Sequence, residues 1–125
     1  MQLSTNNSTV MNNEFTENYA NISGGAAYFE GENITLQYNN FTKNHANSLA
    51  GAIRWYNPDS NSSIITENKF EGNDAQSGGA IYASDGICII KNLFNNNKAN
   101  NGAGGSINVK GSNSIISDNE ITKSS

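Results

Sequence analysis

The segment Arg54-Trp55-Tyr56-Asn57-Pro58-Asp59 gathers the only arginine, tryptophan and proline of the chain beside a tyrosine and an aspartate. Aromatic rings stack on the apolar faces of sugars, while guanidinium and carboxylate groups bond hydroxyls. Arg54, Trp55, Tyr56 and Asp59 therefore form the candidate ligand-binding set. The alternative is that Trp55 and Tyr56 pack on a strand surface and Asn57-Pro58-Asp59-Ser60 is an ordinary turn. Glu17 and Glu71 are the one pair of carboxylates in comparable positions, spaced about 10 Å if they lie two stacked coils apart, which is conceivable for inverting glycoside hydrolysis. Solvated turn charges are the simpler reading of both. Asp59, Asp74, Asp85 and Asp118 fall at different points of their repeats, and Lys43, Lys69, Lys91, Lys98 and Lys110 share no register with an acidic cluster. His45, the only histidine, has no second ligand for a metal and no nucleophile specified beside it. No catalytic residue, metal or cofactor is expected.

These residues sit on a repeat. Asn-x-Phe-x-x-Asn-x-Ala occurs at Asn13 to Ala20, Asn39 to Ala46, Asn68 to Ala75 and Asn92 to Ala99, and a fifth copy opens at Asn119-Glu120-Ile121. Each full copy is followed by a glycine-rich element: Gly24-Gly25-Ala26-Ala27, Ala50-Gly51-Ala52-Ile53, Gly78-Gly79-Ala80-Ile81 and Gly104-Gly105-Ser106-Ile107. An aliphatic residue stands five positions before each aromatic, at Val10, Leu36, Ile65 and Ile89, with Ile116 before Ile121. Short β-branched and aromatic runs punctuated by Asn, Asp, Ser and Gly read as strands and turns, and no window sustains a helical period. A repeat of 24 to 29 residues with three short strands specifies one coil of a right-handed parallel β-helix, because each unit hides its apolar face only against its neighbours.

Stacking turns sequence columns into ladders. Phe15, Phe41, Phe70 and Phe94 are expected inside, with Ile121 ending the column. Asn13, Asn39, Asn68, Asn92 and Asn119 form one amide ladder, and Asn18, Asn44, Asn73 and Asn97 another, since an amide both donates and accepts. The longest repeat, 29 residues from Phe41 to Phe70 against 24 from Phe70 to Phe94, is expected to release its surplus as a loop near 54–60.

At 125 residues, 35% hydrophobic and 14% charged, the chain is one domain with a continuous core rather than a disordered tail. Its net charge of -4 and scattered basic residues argue against nucleic acid, and it has no membrane-inserting segment. Cys88, the single cysteine, lies in Ile87-Cys88-Ile89-Ile90 and reads as a buried small hydrophobe. Asp85-Gly86 reads as a tight turn. Glycosylation triplets begin at Asn6, Asn7, Asn21, Asn33, Asn40 and Asn61, a number that an Asn/Ser/Thr-rich chain reaches by chance. Thr9 and Thr35 align, but Ile64, Cys88 and Ile115 continue their column, so no threonine face of the ice-binding kind persists.

The paired motifs resemble the polymorphic outer-membrane protein repeat of chlamydial autotransporters, Phe-x-x-Asn followed by Gly-Gly-Ala-Ile, also found in adhesin-like surface proteins of methanogenic archaea. Phe15/Asn18, Phe41/Asn44, Phe70/Asn73 and Phe94/Asn97 match the first half; Gly24 to Ala27 and Gly78 to Ile81 match the second. Ala50 and Ser106 depart from it. The resemblance implies a β-helical module displayed on a cell surface or secreted, adhering to a host or neighbouring-cell surface protein or glycan. A pectate-lyase-like fragment acting on or binding carbohydrate is the alternative. No signal peptide is visible in residues 1 to 20, the chain reads as part of a longer repeat protein, and end-to-end self-association is expected of uncapped coils.

Overall fold

The computed structural model describes residues 1–56, 63–84, 86–111 and 113–125. Asn57, Pro58, Asp59, Ser60 and Asn61, which carry the expected turn, one candidate ligand residue and one glycosylation triplet, lie outside the described residues, as does Asp85. The described chain is an all-β parallel solenoid of four complete coils and three strands of a fifth.

Each coil contributes one strand to each of four sheets. The first sheet holds Gln2–Ser4, Ala27–Glu30, Ile53–Tyr56, Ile81–Ala83 and Ile107–Val109. The second holds Ser8–Met11, Ile34–Gln37, Ser63–Thr66, Ile87–Ile90 and Ile115–Ser117. The third, carrying the phenylalanines, holds Glu14–Thr16, Asn40–Thr42, Lys69–Glu71, Leu93–Asn95 and Glu120–Thr122. A fourth sheet, beyond the three strands per coil that the repeat suggests, is built from the two-residue strands Tyr19–Ala20, His45–Ala46, Asp74–Ala75 and Lys98–Ala99. All pairings are parallel, and Phe15, Phe41, Phe70, Phe94 and Ile121 stand in one register.

Strand spacing dictates the core. Successive phenylalanine rings are 4.7, 4.9 and 4.8 Å apart and within 6° of parallel, which is the backbone spacing of a sheet. Each stacked pair adds about 0.5–1.5 kcal/mol beyond area burial. Leu36, Ile65 and Ile89 close the opposite wall, fully buried. Cys88 is an exception to the apolar-run reading: its strand alternates, so Ile87 and Ile89 point inward and Cys88 faces outward, half-buried between Ile64 and Ile115.

The corners explain the asparagines. A left-handed residue stands immediately before each member of the first amide column: Asn12, Tyr38, Glu67, Lys91 and Asp118, with φ between 54° and 58°. Glu17, Lys43, Gly72 and Asn96 do the same before the second column, with φ between 53° and 65°. Such a corner interrupts the backbone ladder, and the buried groups it frees need other partners. The amides supply them. In the first column both the backbone N–H and Nδ2 of one asparagine donate to Oδ1 of the next, at 2.8–3.1 Å. The second column repeats the pattern at 2.9–3.0 Å. From the second coil on, each Nδ2 also reaches back to a carbonyl of the coil before, as Asn73 does to Phe41 and Asn92 to Ile65.

The fourth corner is narrow. A Cβ on Gly25, Gly51 or Gly79 would strike the carbonyl oxygen of the equivalent glycine one coil on, at Gly51, Gly79 and Gly105. Close coil-to-coil approach, more than backbone freedom, therefore requires the second glycine of each pair. The first position is left-handed in every coil and tolerates Ala50, at φ 63°.

Asn73→Ala strands the buried Asn44 N–H and the Phe41 carbonyl, and is expected to cost about 3 kcal/mol or more. Asn40→Ala, on the outward side of the third sheet, should stay within about 0.5 kcal/mol. Glu17→Gly should raise stability by about 1 kcal/mol, because glycine takes the left-handed corner without a Cβ clash. Urea denaturation midpoints check all three.

Candidate functional site

Alternation along Ile53–Tyr56 decides the fate of the candidate ligand set. Ile53 and Trp55 point inward; Arg54 and Tyr56 point out. Trp55 is 0% exposed and stacks on Phe29 with centroids 4.7 Å apart. It is a core residue and cannot offer its face to a sugar. Its bulk is accommodated by Ala83, its small partner one coil on. Its Nε1 is the one buried side-chain polar atom without a hydrogen-bond partner among the described residues, a cost of about 1–3 kcal/mol. Asp59 lies outside the described residues, so the structure brings together only Arg54 and Tyr56.

Two further residues join them. The outward column of the first sheet runs Gln2, Tyr28, Arg54, Tyr82 and Asn108, and Glu30 and Tyr56 pair in the next column. The Arg54 guanidinium lies 4.7 Å from the centre of the Tyr82 ring, held by Nη1 donating to the Trp55 carbonyl at 2.9 Å and to the Tyr82 carbonyl at 3.4 Å. Lys110 approaches the same ring at 6.0 Å. Covered in this way, Tyr82 is only 6% exposed although it faces outward. Tyr82 was within reach of the sequence, since Gly-Gly-Ala-Ile-Tyr82 and Ala-Gly-Ala-Ile-Arg54 occupy the same frame. Lys110 carries no such signal.

A second constellation lies on the fourth sheet, where Tyr19, His45, Asp74 and Lys98 share a column. The Tyr19 ring, 63% exposed with its residue, stacks on His45 at 5.3 Å. His45 Nδ1 is 2.7 Å from Asp74 Oδ2, and Nε2 is 3.1 Å from Asn47 Oδ1. Asn47 Nδ2 donates to the Tyr19 hydroxyl and to Asn21 Oδ1, and Asn100 Nδ2 donates to Asp74. Both imidazole nitrogens thus face acceptors, which suits the doubly protonated ring. Burial disfavours that charge, but the bonds to Asn47 and Asp74 outweigh it and raise the His45 pKa above 6.5. From the sequence His45 has no metal ligand or nucleophile beside it; its column places Asp74 one coil away.

The carboxylate pair separates. Glu17 is a left-handed corner residue in line with Lys43 and Gly72, whereas Glu71 stands one position earlier, on the strand, in register with Thr16 and Thr42. Glu71 bonds Lys69 at 2.8 Å, and that ammonium holds its carboxyl below the usual range. A general acid needs the opposite shift. Burial pushes the Cys88 thiol up, which disfavours the reactive thiolate. Among the described residues no three His, Cys, Asp or Glu side chains converge as for a metal ion, and no helix is long and apolar enough to cross a membrane. Comparison with protein-family models, curated proteins and solved structures finds no match to this chain.

The sign of the His45 shift fixes its pH dependence. The stabilisation is fully present below 6.5 and is lost as the pH rises through the higher folded value. Because His45 is the only histidine, its ring resonances can be titrated without ambiguity. We expect a pKa above 6.5 in the native chain, a lower one in Asp74→Asn, and a melting temperature that declines over this window less steeply in the variant.

Proposed function

We propose that this chain is a rigid display module of a surface or secreted protein, whose outward first-sheet face adheres to a saccharide on a partner surface. The observation that carries the reading is the ordered outward cluster of Tyr28, Arg54 and Tyr56 on the first sheet, packed against Tyr82. Two accessible aromatic rings, Tyr28 and Tyr56, and a guanidinium occupy outward positions of two adjoining coils, with Arg54 laid over the covered Tyr82 ring and anchored by backbone carbonyls. Aromatic faces complement the apolar faces of sugar rings, and neighbouring polar groups meet the hydroxyls. The Phe-x-x-Asn and Gly-Gly-Ala repeat pattern supports the same reading, since similar repeats build adhesive surface proteins.

Stiffness supports it as well. Side chains anchored on a laddered solenoid lose little freedom on binding, so weak contacts sum efficiently. Glycans immobilised on an array test the reading. Tyr56→Ala and Tyr28→Ala should each weaken retention about three- to tenfold, the loss of one stacked ring. Their urea midpoints should stay near the native value, and Asn40→Ala should bind normally. Absence of glycan binding, or binding indifferent to both tyrosines, would sink the proposal.

A further inference from the structure

The first-sheet face carries a charge pattern at odds with the chain as a whole. The protein is acidic, net -4, and among the described residues Lys69 is the one Lys or Arg that meets a carboxylate, Glu71 at 2.8 Å. Arg54 and Lys110 do not: among the described residues neither lies in ion-pair distance of a carboxylate. Both converge instead on one ring, that of Tyr82, at 4.7 and 6.0 Å. Arg54 arrives from the coil before Tyr82, and Lys110 follows the strand of the coil after it. Two coil spacings set these cations about 10 Å apart along the solenoid axis. Among the described residues only Nη1 of Arg54 is engaged, with backbone carbonyls, and the rest of its guanidinium fork suits a carboxylate or sulfate.

From this we infer that the face selects an anionic polysaccharide, laid along the axis with acidic groups on Arg54 and Lys110 and a sugar ring against Tyr56. The inference rests on the saccharide reading and adds charge to it. Two cations flanking a ring and spaced along the axis match a linear chain whose acidic groups recur, whereas a neutral sugar would leave both unanswered. Glu30, in register with Tyr56 at the far side of the cluster, repels an acidic chain from the first coils and so confines it to the Arg54–Lys110 end.

Four soluble polymers separate the outcomes: hyaluronan as carboxylate source, dextran sulfate as sulfate source, dextran as the neutral chain, and polyglutamate as an acidic peptide. Retention on either anionic polysaccharide should exceed that on dextran at least tenfold and fall steeply with added salt. Arg54→Gln and Lys110→Gln should each weaken it about fivefold and flatten the salt dependence, while Lys69→Gln leaves it unchanged. Arg54→Lys, which keeps the charge and loses the fork, should fall between. Equal binding to dextran that is lost in Tyr56→Ala but not in Arg54→Gln overturns the charge inference and leaves the saccharide reading standing. Polyglutamate binding as tight as either polysaccharide overturns it in favour of an acidic protein partner, and no binding to any polysaccharide overturns both.

Discussion

At two corners of each full coil the backbone turns through a left-handed residue, and the next residue is an asparagine whose amide replaces the hydrogen bonds that the turn removes. The rest of the solenoid depends on that substitution. Without the amide, these two corners would bury unpaired N–H and C=O groups in every coil, each costing about 1–3 kcal/mol. Aspartate would stack like charges one coil spacing apart, and serine offers one donor where two are used. Asparagine has the right length and both functions, which is why nine of the chain's 24 stand in these two columns. The ladder is also directional. The Oδ1 of Asn39 receives from Asn13, and its Nδ2 returns to Val10, so a coil displaced by one residue loses every corner bond together.

From this follows a division of labour between inside and outside. Inward positions must repeat, because each ring or amide takes its partner from the same column. Corner residues need not. Asn12, Tyr38, Glu67, Lys91 and Asp118 occupy equivalent corners with nearly identical φ, because the ladder asparagine that follows satisfies the backbone whichever side chain precedes it. The ladders also tolerate unequal coils: the same amide bond spans 24 residues between Asn68 and Asn92 and 29 between Asn39 and Asn68. Surplus chain is released elsewhere without strain on the column.

The phenylalanine and asparagine columns were legible in the sequence because repetition aligns them and stacking demands chemical identity. The left-handed corners were not, since a position filled by Asn, Tyr, Glu, Lys and Asp shows no common type. The two-residue strands at His45 and Asp74 are too short to leave a pattern of their own. Trp55 was misjudged by type: tryptophan beside arginine suggests a binding surface, yet its frame, two residues past Ile53, is that of Phe29 two past Ala27. Parity along the strand overrides the chemistry of the neighbours. Glu17 and Glu71 were paired by approximate distance from their phenylalanines, and one residue of difference puts one on a corner and the other on a strand.

The same parity shows where recognition can reside. Inward residues are committed to their columns, so changing one disturbs two neighbours. Outward residues of the first sheet have no stacking rule to obey, and Gln2, Tyr28, Arg54, Tyr82 and Asn108 show no common type along their column. Their chemistry is therefore free to follow a partner. The scaffold still acts on them: it fixes their spacing at one coil, sets Arg54 over the Tyr82 ring, and among the described residues leaves neither Arg54 nor Lys110 in ion-pair distance of a carboxylate. A column that changes from each coil to the next, on a frame whose strand register repeats, can present an ordered series of groups along one axis. That is the geometry a linear polymer can read.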